Sequence, residues 1–354
     1  MKRRVGFALF VATMAIFVIV SDFNSLLSRG GNEQPPQHNF LPCALPVACG
    51  ERKEIFDITC VQSVTGYPLS HSRYAVVSML MDMHMNPLSS GQIDLSFEIY
   101  VEQLRVLGYM IRTRGNLTCS VDLLLMIKPD LTQRHVQRLQ SVGWSMVIVD
   151  DIPTPKTVLA SITSGHRFLH MFTKLQIFNL TAYNAVLYLD ADTLVRGSIR
   201  DIFEYYVPQM VEKDVHIGWT IDQGHPELDL FWRNNAGVLL VRPSNSLLQN
   251  MTTSMNHLHF DATMSEQGFL NTYFKPDTEL VFPAEQYNCM PMHSCFFGSK
   301  NASILHFTYV KPESILWKFR CWLKGILEIC NEWSDFKREV DASVDRPRYT
   351  HVKS

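Results

Sequence analysis

The sequence predicts an α/β fold with a mainly parallel central sheet and flanking helices. Two observations predict it. Short, β-prone apolar runs alternate along the chain with segments of helical periodicity, which is the pattern of βαβ units. One of these runs, Val186-Leu187-Tyr188-Leu189, leads straight into Asp190-Ala191-Asp192. It is apolar on both faces, as a buried central strand is. In open α/β sheets ligands bind beyond the carboxyl ends of strands.

Each element follows from its own residues. Arg73 to Leu80 reads as the first core strand. From Phe97 to Tyr109, the apolar residues Ile99, Tyr100, Leu104, Val106 and Leu107 predict a helix that Gly108 ends. Val121 to Ile127 is the second strand, stopped by Lys128-Pro129. Leu131 to Val142 is helical, with Gly143 as its C-cap. Trp144 to Val149 is the third strand, and Arg167 to Leu180 an amphipathic helix leading to the aspartate-bearing strand. Beyond it come a helix over Ser198–Tyr205, strands over Val215–Trp219 and Gly237–Val241, and a helix over Gln267–Phe274. The aromatic, cysteine-rich tail from Trp317 to Trp333 fits no clear pattern, and no internal repeat is visible.

A net charge of -2 and 46% hydrophobic residues over 354 positions argue against a disordered or nucleic-acid-coating protein. Lys2-Arg3-Arg4 precedes an uncharged apolar run from Val5 to Val20. A positive flank before such a run holds the N-terminus in the cytosol and sends the rest across. This predicts a cytosolic tail (1–4), a transmembrane signal-anchor helix (5–20), a Ser/Gly/Pro-rich stem (21–55), a catalytic domain (56–320) and a C-terminal extension (321–354). The run is short for a full span, which favours the thin membrane of the Golgi or early secretory pathway. The alternative is a cleaved signal peptide. Sequons at Asn116, Asn179, Asn250 and Asn301 agree with a lumenal location, though Asn179 falls in a helix beside the central strand. None of the eight cysteines shows zinc-finger spacing. In an oxidising lumen the close pairs Cys289/Cys295 and Cys321/Cys330 are disulfide candidates.

The two aspartates have two readings. Unpaired charges at the end of a buried strand would cost several kcal/mol each or neutralise. A hard divalent cation removes that cost, because carboxylate oxygens are the ligands Mg²⁺ and Mn²⁺ prefer. Otherwise they form a polar turn that caps a helix. His306, ending the run Ile304-Leu305, would by itself read as a core or surface histidine.

Further motifs decide between these readings. Phe172-Thr173-Lys174-Leu175-Gln176-Ile177-Phe178 precedes Tyr188 to Val195. Asn235-Ala236-Gly237-Val238, Glu266 to Phe274, Tyr287-Asn288, and His306-Phe307 with Lys311-Pro312 follow in order. Together they resemble glycosyltransferase family 8, which includes glycogenin and plant glucuronosyl- and galactinol-synthase-type enzymes. The resemblance runs from about Tyr74 to Pro312. It implies a GT-A nucleotide-diphospho-sugar transferase fold. It also implies a UDP-sugar donor, a Mn²⁺ ion with Mg²⁺ as the other candidate, and transfer with retention. Asp190, Asp192 and His306 would hold the metal, and Lys311 would contact the diphosphate. Lys174, Asp222, Asn235, Glu266 and Gln267 would surround the donor sugar or the reaction centre. The expected product is a hexose or hexuronic acid on a glycan, glycolipid or polyol, formed by direct front-face transfer with the leaving phosphate helping to deprotonate the acceptor. The rivals are a non-catalytic glycan-binding or scaffold module and a nucleotide-sugar hydrolase.

The chain also departs from the family's pattern. Glu266 stands where many members carry aspartate. Tyr309 replaces a glycine, and Glu313 follows Pro312 where tryptophan is usual. The uracil-binding segment is matched only loosely, by Asp82 and its neighbours.

Overall fold

The computed structural model describes residues 56–57 (backbone only), 73–81, 95–117, 121–129, 131–161, 170–222, 234–291, 301–308, 310–314 and 316–344. The expected anchor, the stem and Asp82 lie outside these residues. Among the described residues no helix is long and apolar enough to cross a membrane.

The strands are β1 (Phe56–Asp57), β2 (Tyr74–Leu80), β3 (Val121–Ile127), β4 (Ser145–Ile148), β5 (Ala185–Leu189), β6 (Thr193–Val195), β7 (Ile217–Thr220), β8 (Asn235–Val241), β9 (Glu279–Val281) and β10 (Ile304–His306). Eight form one sheet of order β1-β4-β3-β2-β5-β8-β7-β9. The pairs from β1 to β5 are parallel; β8 runs antiparallel to β5 and β7. The chain steps outward from β2 through β3 to β4, then returns to the other side of β2 as β5. That reversal is a topological switch point, where a crevice opens at the carboxyl ends of β2 and β5.

Alternation along the strands builds two cores. Val76, Leu125, Leu187 and Leu240 face one layer; Val77, Leu124, Val186 and Leu239 face the other. Every residue of β5 and of β8 is buried, which explains their continuous apolar reading. The first layer holds α1 (Leu95–Arg114) and α2 (Gln133–Gln140). The second holds the short α3 (Lys156–Ser161), α5 (Asn245–Ser254) and α6 (Ser265–Tyr273), while the short α4 (Val207–Glu212) packs into the first layer.

Two expectations need correction. The first helix does not end at Gly108 but runs on to Arg114. Trp144 packs there instead: a Cβ on Gly108 would stand 2.4 Å from its Nε1, which donates to the Leu104 carbonyl at 2.8 Å. Gly108 is a site of close approach, not a stop. The segment before β5 is not an amphipathic helix where it is described. Met171–Asn179 is a 3₁₀ helix whose residues from Phe172 to Phe178 are all buried, so it offers no solvent face. The central strand ends at the aspartates as expected, β5 stopping at Leu189, and β6 leaves the main sheet to pair antiparallel with β10.

The tail folds as α8 (Trp317–Leu323) and α9 (Leu327–Val344), which follow the four-residue α7 (Ala284–Tyr287). Cys321 and Cys330 form a disulfide with Cα atoms 6.4 Å apart, joining α8 to α9. Cys295 lies outside the described residues. Asn116, Asn250 and Asn301 are exposed; Asn179 is half-buried.

Candidate active site

The two-stranded ribbon assembles the site. Its register pairs His306 with Thr193, so His306 stands beside Asp192 although the two are far apart in sequence. The Phe307 N–H donates to the Asp192 carbonyl at 2.9 Å and locks that corner. Carboxylate oxygens of Asp190 and Asp192 and a ring nitrogen of His306 converge within 4.8 Å of one another.

The hydrogen-bond network assigns the imidazole tautomer. The Asn288 amide nitrogen donates to Thr220 Oγ1 (2.8 Å) and Asn235 Oδ1 (3.0 Å). Its oxygen therefore faces His306 Nδ1 at 2.8 Å, and that nitrogen carries the proton. In the neutral ring, Nε2 then presents a lone pair to the carboxylates, 3.4 Å from Asp192 Oδ1 and 3.9 Å from Asp190 Oδ2. Three lone pairs that face one another repel unless a cation sits among them. The donor set of two carboxylates and one oriented imidazole fits a divalent metal of the Mn²⁺ type.

Two lysines balance the carboxylates. Lys174, buried on the 3₁₀ helix, donates to Glu266 Oε1 at 2.7 Å and to the Ala236 carbonyl at 3.1 Å. It also stands 3.2 Å from Asp190 Oδ1. Burial alone would lower its pKa; Asp190 and Glu266 reverse this and hold the ammonium above its ordinary value. Lys311 pairs with Asp192 Oδ2. Burial alone would raise the Asp192 pKa, but Lys311 and His306 hold the carboxyl well below the usual carboxylate range. The Tyr188 hydroxyl, pushed up by burial and by Asp190, stays protonated and donates to Asp190 Oδ1 at 2.9 Å.

A second set lies along the amino end of β8. Gln267 Nε2 donates to Asp222 Oδ2 at 2.8 Å, and Gln267 Oε1 accepts from the Ala236 N–H at 3.0 Å. Asn235 Nδ2 lies 3.3 Å from both Asp222 Oδ2 and Gln267 Oε1. Asn235, through Asn288, links this set to His306. An open cleft at the switch point is lined by Met81, Tyr100, His170, Asp190, Asp192 and Lys311, among others.

The profile of the family described as Glycosyl transferase family 8 matches residues 100–313. The chain belongs to that family. The metal-type cluster, both lysines and Gln267 all fall inside the matched span. Among relatives, the chain is 32% identical over 174 residues to inositol phosphorylceramide glucuronosyltransferase 1 of Arabidopsis thaliana, covering 49% of this chain and 28% of that one. It is 25% identical over 222 residues to glycogenin-1 of Mus musculus, covering 59% and 60%. The chain thus spans under two thirds of the length of these curated relatives. The apo structure of the bifunctional glycosyltransferase WbbM is similar at a TM-score of 0.51 and 11% identity, covering 79% of this chain and 53% of that one. The fold is GT-A-like with a mostly parallel central sheet.

All nine residues singled out in the sequence of this family 8 chain fall into one connected array. Asp190, Asp192, His306 and Lys311 form its metal-type end; Lys174 and Glu266 form a buried pair behind Asp190; Asp222, Asn235 and Gln267 form the far end. Two supporting residues were not assigned a role from sequence. Tyr188 reads as a strand aromatic, and Asn288 as the end of a Tyr-Asn motif. Only the buried neighbours of each reveal its function.

Proposed function

We propose that this protein is a retaining glycosyltransferase. It moves a hexose or hexuronic acid from a UDP-sugar to a glycan, glycolipid or polyol acceptor. The observation that carries this reading is the convergence of Asp190, Asp192 and His306 beside Lys311, at the switch point of a family 8 domain. The name of the Arabidopsis relative, a glucuronosyltransferase of inositol phosphorylceramide, supports a hexuronic acid donor and a glycolipid acceptor.

Asp190, Asp192 and His306 would hold Mn²⁺, with Mg²⁺ as a substitute. When bound, such an ion neutralises the diphosphate as the sugar bond breaks. Lys311 adds a point charge on the same leaving group. Lys174 holds Asp190 in place, and Tyr188 donates to the same oxygen. Gln267 would present its amide to a sugar hydroxyl, and Asn235, bonded to Asp222, Gln267 and Asn288, would hold that amide in place. Glu266 is buried and committed to Lys174, which makes it a poor nucleophile and favours direct front-face transfer over a glycosyl-enzyme on that residue. The run from Val5 to Val20 would anchor the chain in a Golgi or early secretory membrane with the domain in the lumen.

The test is UDP release against a panel of UDP-sugars, with and without Mn²⁺, alongside Asp192→Ala. Mn²⁺-dependent release from one donor, absent in the variant, supports the reading and names the sugar. Release at the same rate with and without acceptor makes it a hydrolase. No Mn²⁺-dependent UDP binding at all overturns it in favour of a non-catalytic module.

A further inference from the structure

We propose that the outer face of α8 docks on the headgroup region of a lipid bilayer. The helix turns Trp317 and Cys321 into the core. It leaves Phe319, Trp322 and Leu323 exposed at 38%, 58% and 60%, and Leu316, just before it, is 56% exposed. Phe319 and Leu323, four residues apart, share one face of the helix, and Leu316 precedes its first turn as the N-cap residue. Trp322 stands beside it, its ring stacked on Phe319 at 5.8 Å. Four large apolar side chains grouped on one face mark an interaction surface.

The face is also rigid. The Cys321–Cys330 disulfide and an edge-on Trp317–Trp333 contact at 5.6 Å fasten α8 to α9, so the outer side chains cannot turn inward.

The chemistry of the patch selects the partner. From Ser314 to Leu327 the sequence carries no acid, while Lys318, Arg320 and Lys324 are cations. Arg320 and Lys324 are exposed beside the apolar stripe. Trp, Phe and Leu flanked by Lys and Arg is the composition of interfacial helices, which bury the apolar side chains and leave the cations among anionic headgroups. Tryptophan in particular settles at headgroup level. The same chain carries the apolar run from Val5 to Val20, and residues 21–55 tether the domain to it. The proposal stands on the patch and not on the transferase reading. Taken with that reading, it brings the Lys311-Pro312 segment, which lies four residues before α8, close to a bilayer that presents lipid-linked acceptors.

Residues 52–354 form a compact unit that contains every described element, so docking can be measured without the N-terminal run. The experiment is flotation with vesicles of phosphatidylcholine alone, or with phosphatidylserine in a four-to-one mixture, with no sugar donor present. The wild-type domain is expected to float with the mixed vesicles, less with phosphatidylcholine alone, and less at high salt. Trp322→Ser with Leu323→Ser should weaken partitioning roughly tenfold per side chain. Both side chains are exposed, so the urea midpoint should hold. Lys324→Glu should reduce the preference for phosphatidylserine. No flotation of the wild type, or undiminished flotation of the double variant, overturns the proposal. A vesicle-free dimer that the double variant dissolves would overturn it too, in favour of self-association. None of these outcomes depends on catalysis.

Discussion

A Cβ on Gly237 would stand 2.2 Å from Cε1 of His306 and 2.9 Å from its Nδ1. The imidazole thus occupies the space of a side chain on β8, while the Gly237 carbonyl accepts from the Asp190 N–H at 2.9 Å. Glycine is needed here for close approach, not for an unusual backbone angle.

Gly237→Ala should therefore push His306 away from the two aspartates. Overpacking of this kind costs about 1–3 kcal/mol of stability. Affinity for Mn²⁺, read by calorimetry, is expected to fall by about tenfold or more. Wild-type metal affinity in this variant would show that His306 is not a ligand.

Asn288 acts through His306, so it is a positioning residue. Asn288→Leu leaves the Nδ1–H of His306 buried without an acceptor, at a cost of about 1–3 kcal/mol. It also releases the ring to rotate or change tautomer. The expected readout is a loss of roughly 10–100-fold in Mn²⁺ affinity. A merely structural role would lower the urea midpoint and leave the metal titration unchanged.

Lys174 neutralises two carboxylates at once, with a side chain only 1% exposed. Lys174→Met strands Glu266 and Asp190 without their cation, which should cost about 3–5 kcal/mol. Glu266→Gln is expected to cost less, because Lys174 keeps Asp190 and the Ala236 carbonyl. Urea unfolding of the two variants checks the order. Equal losses would mean that Asp190 contributes nothing to holding the lysine.

Much of this was legible in the sequence, and the reasons differ from element to element. The strands β2, β3, β5 and β8 are mostly apolar runs bounded by polar or turn residues, which is how strands buried on both faces read. The aspartates stood out because carboxylates seldom end such a run. His306 had no local signal: β6 and β10 span three residues each, too short to show alternation, and only the order of motifs pointed to the histidine. Lys174 was read from its motif, but its 3₁₀ setting was not, since a wholly buried segment has no amphipathic stripe. Gly108 looked like a stop because its partner, Trp144, is contributed by a later element. The tail resisted reading because its inner face is set by a disulfide and its outer face is apolar as well.

Glu98 gives the stability a predictable dependence on pH. It accepts from His135 Nε2 at 2.7 Å and Arg138 Nη1 at 2.9 Å, tying α1 to α2. Burial alone would raise its pKa, but these two partners outweigh burial and bring it below its ordinary 4.5. The unfolded chain therefore takes up the proton first. The contribution is complete above pH 4.5 and is lost as the pH falls through the lower, folded value. Asp151, held below its ordinary 3.8 against burial by Thr173, Lys128 and His170, adds a second loss of the same sign at lower pH. Urea midpoints measured from neutrality downward should fall across this window in the wild type. Glu98→Gln should start lower at neutral pH and fall less steeply, because the variant has no proton left to gain there. Parallel curves for the two proteins would show that Glu98 is not linked to folding and that the acid loss arises elsewhere.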